Sequence, residues 1–407
     1  MDLTRMSRRG FLQLAGTLGV STLLGGCGSM ERRPYTGPTD PQKVNGVFRI
    51  GGIAPLTGPA AIYGTANRDG ALVAVKEVND SGRLKLELNF QDDEHDPEKA
   101  VNAYNNLKDW GLKALVGTTT TGPCVAVTDE TNADGVFQVT PSASSIDVIG
   151  GVEGSNEPAK HNVFQICFTD PNQGTASASY IAEQKLADKV AVIYNNADAY
   201  STGIFNNFQA KAEELGLNIV SESTFTDDSA NDFTVQLNAA KSEGADLIFL
   251  PVYYTPASII LQQADAMGYQ PKFFGVDGMD GILSLEGFDK SVAEGVMLLT
   301  PFVATAHDER TQRFVQAYKE LTGSQELPSQ FAADGYDCVM AIVQAIEVSG
   351  VTPEMPAPEI CERLSETFIQ PDFVVKGLTG DARWLETGEV DKSPKGMIIK
   401  NGVYEAM

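Results

Sequence analysis

Apolar residues along the chain recur with two different periods, one typical of strands and one typical of helices. Between residues 84 and 90, apolar and polar residues alternate strictly, which is typical of a strand with one buried face. From Gly64 to Asn79, apolar residues recur every three or four positions, as on one face of a helix. From residue 47 onward, a strand-plus-helix unit recurs every ~25–30 residues, which predicts βαβ units and parallel sheets.

The predicted units form two series, separated by an irregular segment between residues 150 and 160. The 407 residues exceed the length at which a single hydrophobic core stops growing. We therefore expect an α/β fold with two doubly wound parallel-sheet lobes in tandem. Short β-rich segments after Phe373 are expected to complete one or both sheets, and periodicity does not decide which.

The first 26 residues have the pattern of an export signal. Arg8 and Arg9 precede an apolar stretch, residues 11–24, that is too short to span a bilayer comfortably. This segment resembles a twin-arginine signal peptide, and the sequence LGGC at its end resembles a lipobox. We expect residues 1–26 to be removed, Cys27 to be lipidated and residues 27–46 to form a tether. The lipid would then anchor the exported protein to the outer face of the cytoplasmic membrane.

Composition narrows the range of partners. The net charge of −24 would repel nucleic acid and anionic lipid, so neither is expected as a partner. With three histidines and no Cys-x-x-Cys pair, the chain is expected to hold no metal and no cofactor. Export permits disulfides, so their presence stays open, but predicted core contexts favour buried free thiols. The cysteines concerned are Cys124, Cys167, Cys338 and Cys361.

Two loops that follow neighbouring predicted strands are candidates for a ligand site. Residues 117–124 read GTTTTGPC, which places four threonines between a strand and a helix. The first N–H groups of a helix lack internal partners and lie at its positive end, so Thr121 and its neighbours suit a carboxylate or phosphate. Threonines also favour strands and helix caps for structural reasons alone. The second loop, TPSASS at residues 140–145, strengthens the prediction of an anion-binding mouth.

No catalytic motif competes with this interpretation. The chain lacks the nucleophile elbow G-x-S-x-G, the P-loop and the H-E-x-x-H helix. Residues 91–96 are rich in carboxylates, a composition typical of a solvated turn between a strand and a helix cap. We therefore predict that the protein is not an enzyme.

Sequence blocks spread from residue 48 to the C-terminus resemble the branched-chain amino-acid-binding family of ABC transporter substrate-binding lipoproteins. Among them are FRIGGIAPLTGPAAIYG, ALVGTTTTGPC, TPSAS, FLPVYYTPA and FFGVDGMDG. The resemblance implies a type I periplasmic binding protein, with two lobes joined by a three-strand hinge. Lobe 1 would comprise residues 47–168 and 302–375, and lobe 2 residues 169–301 and 376–407. It also implies a monomer that delivers an amino acid, branched-chain or similar, to an ABC permease.

The same resemblance assigns the ligand contacts. Thr121, Ser142 and Ser144 of lobe 1 would hold the carboxylate and the ammonium of the amino acid. Asp277 of lobe 2 would meet the ammonium; the leucine-type binders more often have glutamate there, so the shorter acid implies closer lobes or an intervening water. Three tyrosines would line the cleft: Tyr63, Tyr200 and Tyr253. A zwitterion needs donors, a negative acceptor and an apolar wall, and these residues supply all three.

Relatives of this fold that bind other solutes leave a second hypothesis open. The chain could be a ligand-sensing module for an amide, urea or aromatic acid, acting through a separate membrane receptor. The sequence does not specify the ligand side chain, because the pocket wall and the degree of closure determine it.

Overall fold

Two sheets packed against helices form the described part of the chain. The structure, a computed structural model, describes residues 46–155, 157–392 and 394–407. The predicted export signal, the lipidation of Cys27 and the tether up to residue 45 lie outside these ranges. Among the residues that are described, no helix combines the length and the apolar character needed to cross a membrane.

The first sheet has five parallel strands in the order β2-β1-β3-β4-β5. These strands are β1 (Phe48–Ala54), β2 (Leu86–Asp92), β3 (Ala114–Gly117), β4 (Phe137–Thr140) and β5 (Val163–Gln165). Helices from both ends of the chain accompany it: α1 (Ala61–Ser81), α2 (Pro97–Trp110), α3 (Thr121–Asp134), α8 (Glu309–Thr322), α9 (Gln330–Ser349) and α10 (Ala357–Phe368). Ile50 and Ile53 of β1 belong to different apolar clusters, so the sheet separates two cores.

The second sheet has seven strands in the order β14-β13-β10-β9-β8-β6-β7. They are β6 (Val190–Asn195), β7 (Ile219–Phe225), β8 (Leu247–Leu250), β9 (Lys272–Gly275), β10 (Met297–Thr300), β13 (Lys395–Lys400) and β14 (Val403–Ala406). The helices in this part of the chain are α4 (Asp170–Glu183), α5 (Ala199–Leu215), α6 (Thr234–Glu243) and α7 (Tyr254–Ala266).

The tail makes the second sheet partly antiparallel. Strands β6 to β10 are parallel, whereas β13 runs antiparallel to β10 and β14 antiparallel to β13. Asn401 and Gly402 connect the last two strands, and both have positive φ. This dipeptide is the preferred two-residue hairpin turn, which explains why the chain ends in a hairpin rather than in another βαβ unit.

The boundaries of α2 show how local sequence determines a helix. Asp96 caps its N-terminus and accepts a 3.0 Å hydrogen bond from Lys99 N, with Pro97 as the first helical residue. Gly111 ends the helix in the left-handed conformation, with φ of 87°. The helix cap expected at the end of residues 91–96 is therefore confirmed.

The chain passes between the sheets three times, after β5, after β10 and before β13, as the predicted three-strand connection requires. The first and last crossings lie side by side. Trp384 Nε1 donates to Gln165 O at 2.7 Å, and Lys392 Nζ donates to Ile166 O at 3.0 Å. Two further tail strands, β11 (Val375–Gly377) and β12 (Gly380–Ala382), form a separate ribbon. The lobe limits at residues 168, 301 and 375 stay a prediction.

The cysteines of the described part are buried and unpaired, as favoured above: Cys124, Cys167, Cys338 and Cys361. These cysteines therefore pack as small apolar residues of the core.

Candidate ligand site

The strand order of the two sheets determines where the candidate ligand site lies. Each sheet starts at an internal strand and extends in both directions, which creates a crevice at the carboxyl ends of two adjacent strands. In the first sheet these strands are β1 and β3, and in the second they are β6 and β8. The segments that follow them carry Tyr63, the threonine run, Tyr200 and Tyr253.

A small cavity lies between these segments. Its volume is about 240 Å³, part of it open to solvent. Its lining comes from both parts of the chain: Tyr63, Thr119, Thr120, Ser142, Tyr200, Tyr253, Asp277, Gly278 and Phe331. The structure thus brings five of the seven predicted ligand residues together. The other two, Thr121 and Ser144, are buried close to lining residues in the chain but do not line the cavity.

The four threonines have different environments. Thr119 Oγ1 accepts a 3.0 Å hydrogen bond from Asn67 Nδ2, and Thr120 Oγ1 lies 2.8 Å from His95 Nδ1. Thr121 Oγ1 is buried and has no hydrogen-bond partner among the described residues. Buried hydroxyls in native proteins are nearly always paired, so Thr121 has an unused hydrogen-bonding capacity.

Helix α3 begins at Thr121, as predicted, four residues before the apolar periodicity becomes visible at Val125. Its hydrogen-bond ladder starts with Cys124 N, which donates to Thr120 O at 3.1 Å. The N–H groups of Thr121 and Gly122 precede that ladder and lie at the positive end of the helix. This helix end can therefore hold an anion.

The serine loop carries two buried hydroxyls. Ser142 Oγ donates to Thr119 O at 2.7 Å and so connects the two loops. Ser144 Oγ is buried beside the Asp170 carboxyl group. The Ser144 carbonyl accepts a 2.9 Å hydrogen bond from Asp170 N. Ser142 therefore has its carbonyl available for a ligand, and Ser144 its hydroxyl.

Asp277 is a buried carboxylate at the end of β9, with 4% of its surface exposed. Its Oδ1 accepts a 2.6 Å hydrogen bond from the Tyr200 hydroxyl, and its N–H donates to Gln173 Oε1 at 3.1 Å. Burial raises the pKa of Asp277 to about 6, and the hydrogen bond from Tyr200 opposes that rise. The carboxylate is thus mostly ionised at neutral pH, and no cation of the described residues pairs with it.

The three predicted tyrosines form one aromatic group. Tyr200 and Tyr253 stack with ring centroids 4.7 Å apart and an interplanar angle of 5°. Tyr63 packs on Tyr253 at 5.7 Å and on Phe331 at 4.5 Å. Its hydroxyl donates to Gly278 O and accepts a 3.0 Å hydrogen bond from Tyr254 N. Tyr63 therefore connects helix α1 of the first sheet to two loops of the second.

Sequence reasoning missed several neighbours of this site. Phe331 lines the cavity from the start of α9, and His95 packs edge-on against Tyr253. Asp170, at the start of α4, is 1% exposed, and its carboxyl group faces the Ser144 hydroxyl. Burial raises its pKa well above the usual range. Its sequence, Asp-Pro at a helix start, carries only the signal of an ordinary N-terminal turn.

Within the described part of the chain, no group of three or more histidine, cysteine, aspartate or glutamate side chains is arranged to hold a metal ion.

Comparison with known proteins shows the family. A profile described as "Periplasmic binding protein" matches residues 47–364, so the chain belongs to the periplasmic binding protein family. It is 31% identical over 313 residues to the Leu/Ile/Val-binding protein homolog 3 of Brucella melitensis, covering 76% of this chain and 81% of the relative. The leucine-, isoleucine-, valine-, threonine- and alanine-binding protein of Pseudomonas aeruginosa is 26% identical over 348 residues, with 84% and 87% covered.

A solved structure shows the same architecture. The branched-chain amino acid transporter substrate binding protein LivJ of Streptococcus pneumoniae, in complex with isoleucine, superposes with a TM-score of 0.78. It is 27% identical, and the match covers 89% of this chain and 98% of that one. The predicted family and the type I periplasmic binding fold are confirmed.

Proposed function

We propose that this protein is the exported solute-binding component of an ABC importer and that it encloses an α-amino acid between its two lobes. The observation that carries the proposal is a set of polar groups that lie on one cavity or directly beside it. Thr121 has a buried hydroxyl with no partner among the described residues, Ser144 has a buried hydroxyl beside Asp170, and Asp277 supplies a buried carboxylate that no cation of the described residues contacts. A zwitterion has the complementary charges.

The carboxylate end of the ligand would lie at the start of α3. The N–H groups of Thr121 and Gly122 and the hydroxyls of Thr121 and Ser144 are the donors. Three or four such hydrogen bonds to a charged group are each worth about 1.5–3 kcal/mol. That is sufficient for tight capture of a small solute after the entropic cost of binding.

The ammonium end would lie between the Ser142 carbonyl and Asp277. The hydrogen bond from Tyr200 holds the Asp277 carboxylate in place. Asp170 is a second carboxyl group next to Ser144, and burial raises its pKa well above the usual range, which favours its neutral form. One ionised carboxylate therefore matches one ammonium.

The wall around the ligand side chain consists of the rings of Tyr63, Tyr200, Tyr253 and Phe331. The cavity is small and has an aromatic wall, which favours a small amino acid, branched-chain or similar. The relatives named above bind such amino acids according to their names. We extend this specificity to the present chain.

Closure couples capture to delivery. Tyr63 joins the two halves through Gly278 and Tyr254, contacts that require closed lobes. A ligand that contacts both halves shifts the population toward that form, which a permease can distinguish from the open one. We place the protein, as a monomer, on the outer face of the cytoplasmic membrane, attached through a lipid on Cys27.

A ligand panel tests this function. Purified chain is unfolded and refolded to remove bound ligand, and melting temperatures are recorded with α-amino acids, amides, urea and aromatic acids. A ligand specific for the folded state adds about 2.7 kcal/mol of stability at a hundredfold excess over its dissociation constant. Stabilisation by a small α-amino acid supports the proposal. Stabilisation only by aromatic acids, amides or urea would replace it with the alternative ligand class.

A further inference from the structure

Two buried polar side chains lie beside the aromatic wall of the ligand cavity. Thr119, from the threonine run, lines the cavity and is 2% exposed, and Asn67, from α1, is fully buried. Asn67 Nδ2 donates to Thr119 Oγ1 at 3.0 Å. Neither side chain takes part in holding the two charged ends of the proposed ligand.

This pair has an unused donor and an unused acceptor. The Thr119 hydroxyl accepts from Asn67, and its own O–H group has no acceptor among the described residues. Asn67 Oδ1 is buried, and it too has no hydrogen-bond partner in the described part of the chain. Native proteins pair nearly all buried polar groups, because an unpaired one loses its hydrogen bonds to water without replacement. A bound group that both donates and accepts would complete the pair.

The pair lies on the side of the cavity that receives the ligand side chain. Asn67 follows Tyr63 by one helical turn, and both are buried on the same face of α1. The Phe331 ring packs on Tyr63 with centroids 4.5 Å apart. Thr119 therefore contacts the cavity next to this aromatic wall, whereas the helix end that suits the ligand carboxylate begins at Thr121.

Close contacts on both sides hold the pair in position. Ser142 Oγ donates to Thr119 O at 2.7 Å, which fixes the backbone of the threonine run. Helix α9 packs directly on α1, since a Cβ on Gly335 would lie 2.2 Å from Asn67 O. The hydroxyl of Thr119 is therefore oriented before a ligand arrives, which reduces the ordering cost of binding.

A hydroxyl group matches this pair, because it donates one hydrogen bond and accepts others. We propose that Thr119, positioned by Asn67, selects an α-amino acid with a hydroxyl on its side chain, threonine above all, over its apolar isostere valine. This assignment rests on the proposed function and narrows its class of ligand. Threonine has the branched β-carbon of valine, so the same small aromatic cavity accommodates its side chain.

Isosteric ligands test this specificity on the unaltered protein. L-Threonine carries a hydroxyl where L-valine carries a methyl group, and calorimetry on the purified, ligand-stripped full-length chain measures both dissociation constants. We expect threonine to bind about tenfold more tightly than valine or better, because valine would leave buried polar groups unpaired. Serine should likewise bind more tightly than alanine.

Variants separate the Thr119 hydroxyl from other effects. Thr119→Val keeps the shape of the side chain and removes its hydroxyl, so the preference for threonine over valine should fall about tenfold or more. Thr119→Ser restores the hydroxyl and should keep the preference. Thr65→Val is the matched control, because Thr65 Oγ1 donates to Ala61 O at 2.6 Å within α1, and its preference should be unchanged. The preference of the unaltered chain decides the question even if Thr119→Val fails to fold.

Three results would overturn this specificity. Valine binding as tightly as threonine would show that Thr119 does not contact the ligand side chain. Equal losses of threonine and valine affinity in Thr119→Val would place its hydroxyl at the ligand carboxylate instead. Tighter binding of asparagine than of threonine would replace the hydroxyl with an amide. In each case an amino acid still binds and the proposed function stands. Failure of every α-amino acid to bind would reject the proposed function, and the role of Thr119 with it.

Discussion

The Tyr200 hydroxyl donates a 2.6 Å hydrogen bond to Oδ1 of Asp277 and at the same time accepts one from Gly278 N at 2.9 Å. One side chain from the β6–α5 segment thus holds both the acid and the backbone of the β9 loop. Tyr200 also stacks on Tyr253, which restricts its ring. The Asp277 carboxylate is therefore positioned before any ligand arrives, which reduces the ordering cost of binding.

Replacing Asp277 with asparagine should abolish amino-acid binding while leaving the fold intact. Removing one member of a buried, hydrogen-bonded charge pair costs about 2–5 kcal/mol, so the dissociation constant should rise at least thirtyfold. Calorimetry measures the affinity, and circular dichroism with the melting temperature checks the fold. Asp265→Asn, an exposed acid on the same half, is the control. An unchanged dissociation constant in Asp277→Asn would remove this residue from the ligand site.

Amino-acid affinity should depend on pH with a midpoint near 6. The ligand ammonium requires ionised Asp277, whose pKa burial raises to about 6. Below that pH, the affinity should fall about tenfold for each pH unit, because the ionised fraction of Asp277 falls about tenfold per unit. The stability of the ligand-free protein should change with pH in the opposite direction. Because the pKa of Asp277 is higher folded than unfolded, its contribution to stability grows as pH falls from about 6 toward 4.

Other titrating groups near the site define the control for this pH profile. Burial also raises the pKa of Asp198 to about 6, raises that of Asp170 further, and lowers that of His95. Asp198 caps α5 and accepts from Tyr200 N, but it does not itself line the ligand cavity. Any affinity left in Asp277→Asn should be flat across pH 5–7, whereas Asp198→Asn should retain the midpoint. If only Asp198→Asn loses the midpoint, Asp198 and not Asp277 is the acid that determines the pH dependence.

Much of the fold was predictable from the sequence because it depends on local chemistry. Alternating apolar residues in β2, the Asp96-Pro97 start of α2 and the Thr121 start of α3 are encoded within a few neighbouring positions. Helix α10 is harder to predict, although Ile360, Leu364 and Phe368 are apolar at helical spacing. The reason is its sequence context, because α10 follows a proline-rich stretch whose composition predicts a loop.

The parts of the site that escaped prediction depend on tertiary contacts. Phe331 reaches the cavity only because α9, which comes nearly 200 residues after β4, packs on the first sheet. Asp170 is buried because Gly203 lets helix α5 approach: a Cβ on that glycine would lie 2.9 Å from Asp170 Oδ2. Neither relationship leaves a motif in the neighbouring sequence. The side-chain specificity of the pocket is unpredictable for the same reason.

Thr121→Val should separate ligand binding from stability. Valine keeps the shape of threonine but removes a buried hydroxyl that has no partner among the described residues, so the empty protein should melt at the same temperature or higher. The lost hydrogen bond to the ligand carboxylate should raise the dissociation constant about tenfold or more. Calorimetry and thermal unfolding of the same sample give both values.

Ser142→Ala is the matched contrast, because Ser142 Oγ donates to Thr119 O inside the protein. This variant should lose about 1–3 kcal/mol of stability, since the buried Thr119 carbonyl loses a donor. It should keep most of its affinity, because the Ser142 carbonyl is retained. If Thr121→Val unfolds early and binds normally, the Thr121 hydroxyl is structural and the ligand carboxylate lies elsewhere.

Tyr63→Phe should shorten the lifetime of the closed, ligand-bound form. The variant removes the donor to Gly278 O and the acceptor for Tyr254 N, both buried when the halves are together. In an open form water can satisfy these groups, so the cost of about 1–3 kcal/mol falls on the closed form. Most changes in affinity within one interface appear in the dissociation rate, which stopped-flow fluorescence should show to be five- to tenfold faster.

Tyr269→Phe is the matched control, because the Tyr269 hydroxyl donates to Ala245 O at 2.8 Å within the second half alone. Equal dissociation rates in the two variants would mean that the contacts of Tyr63 do not hold the lobes closed.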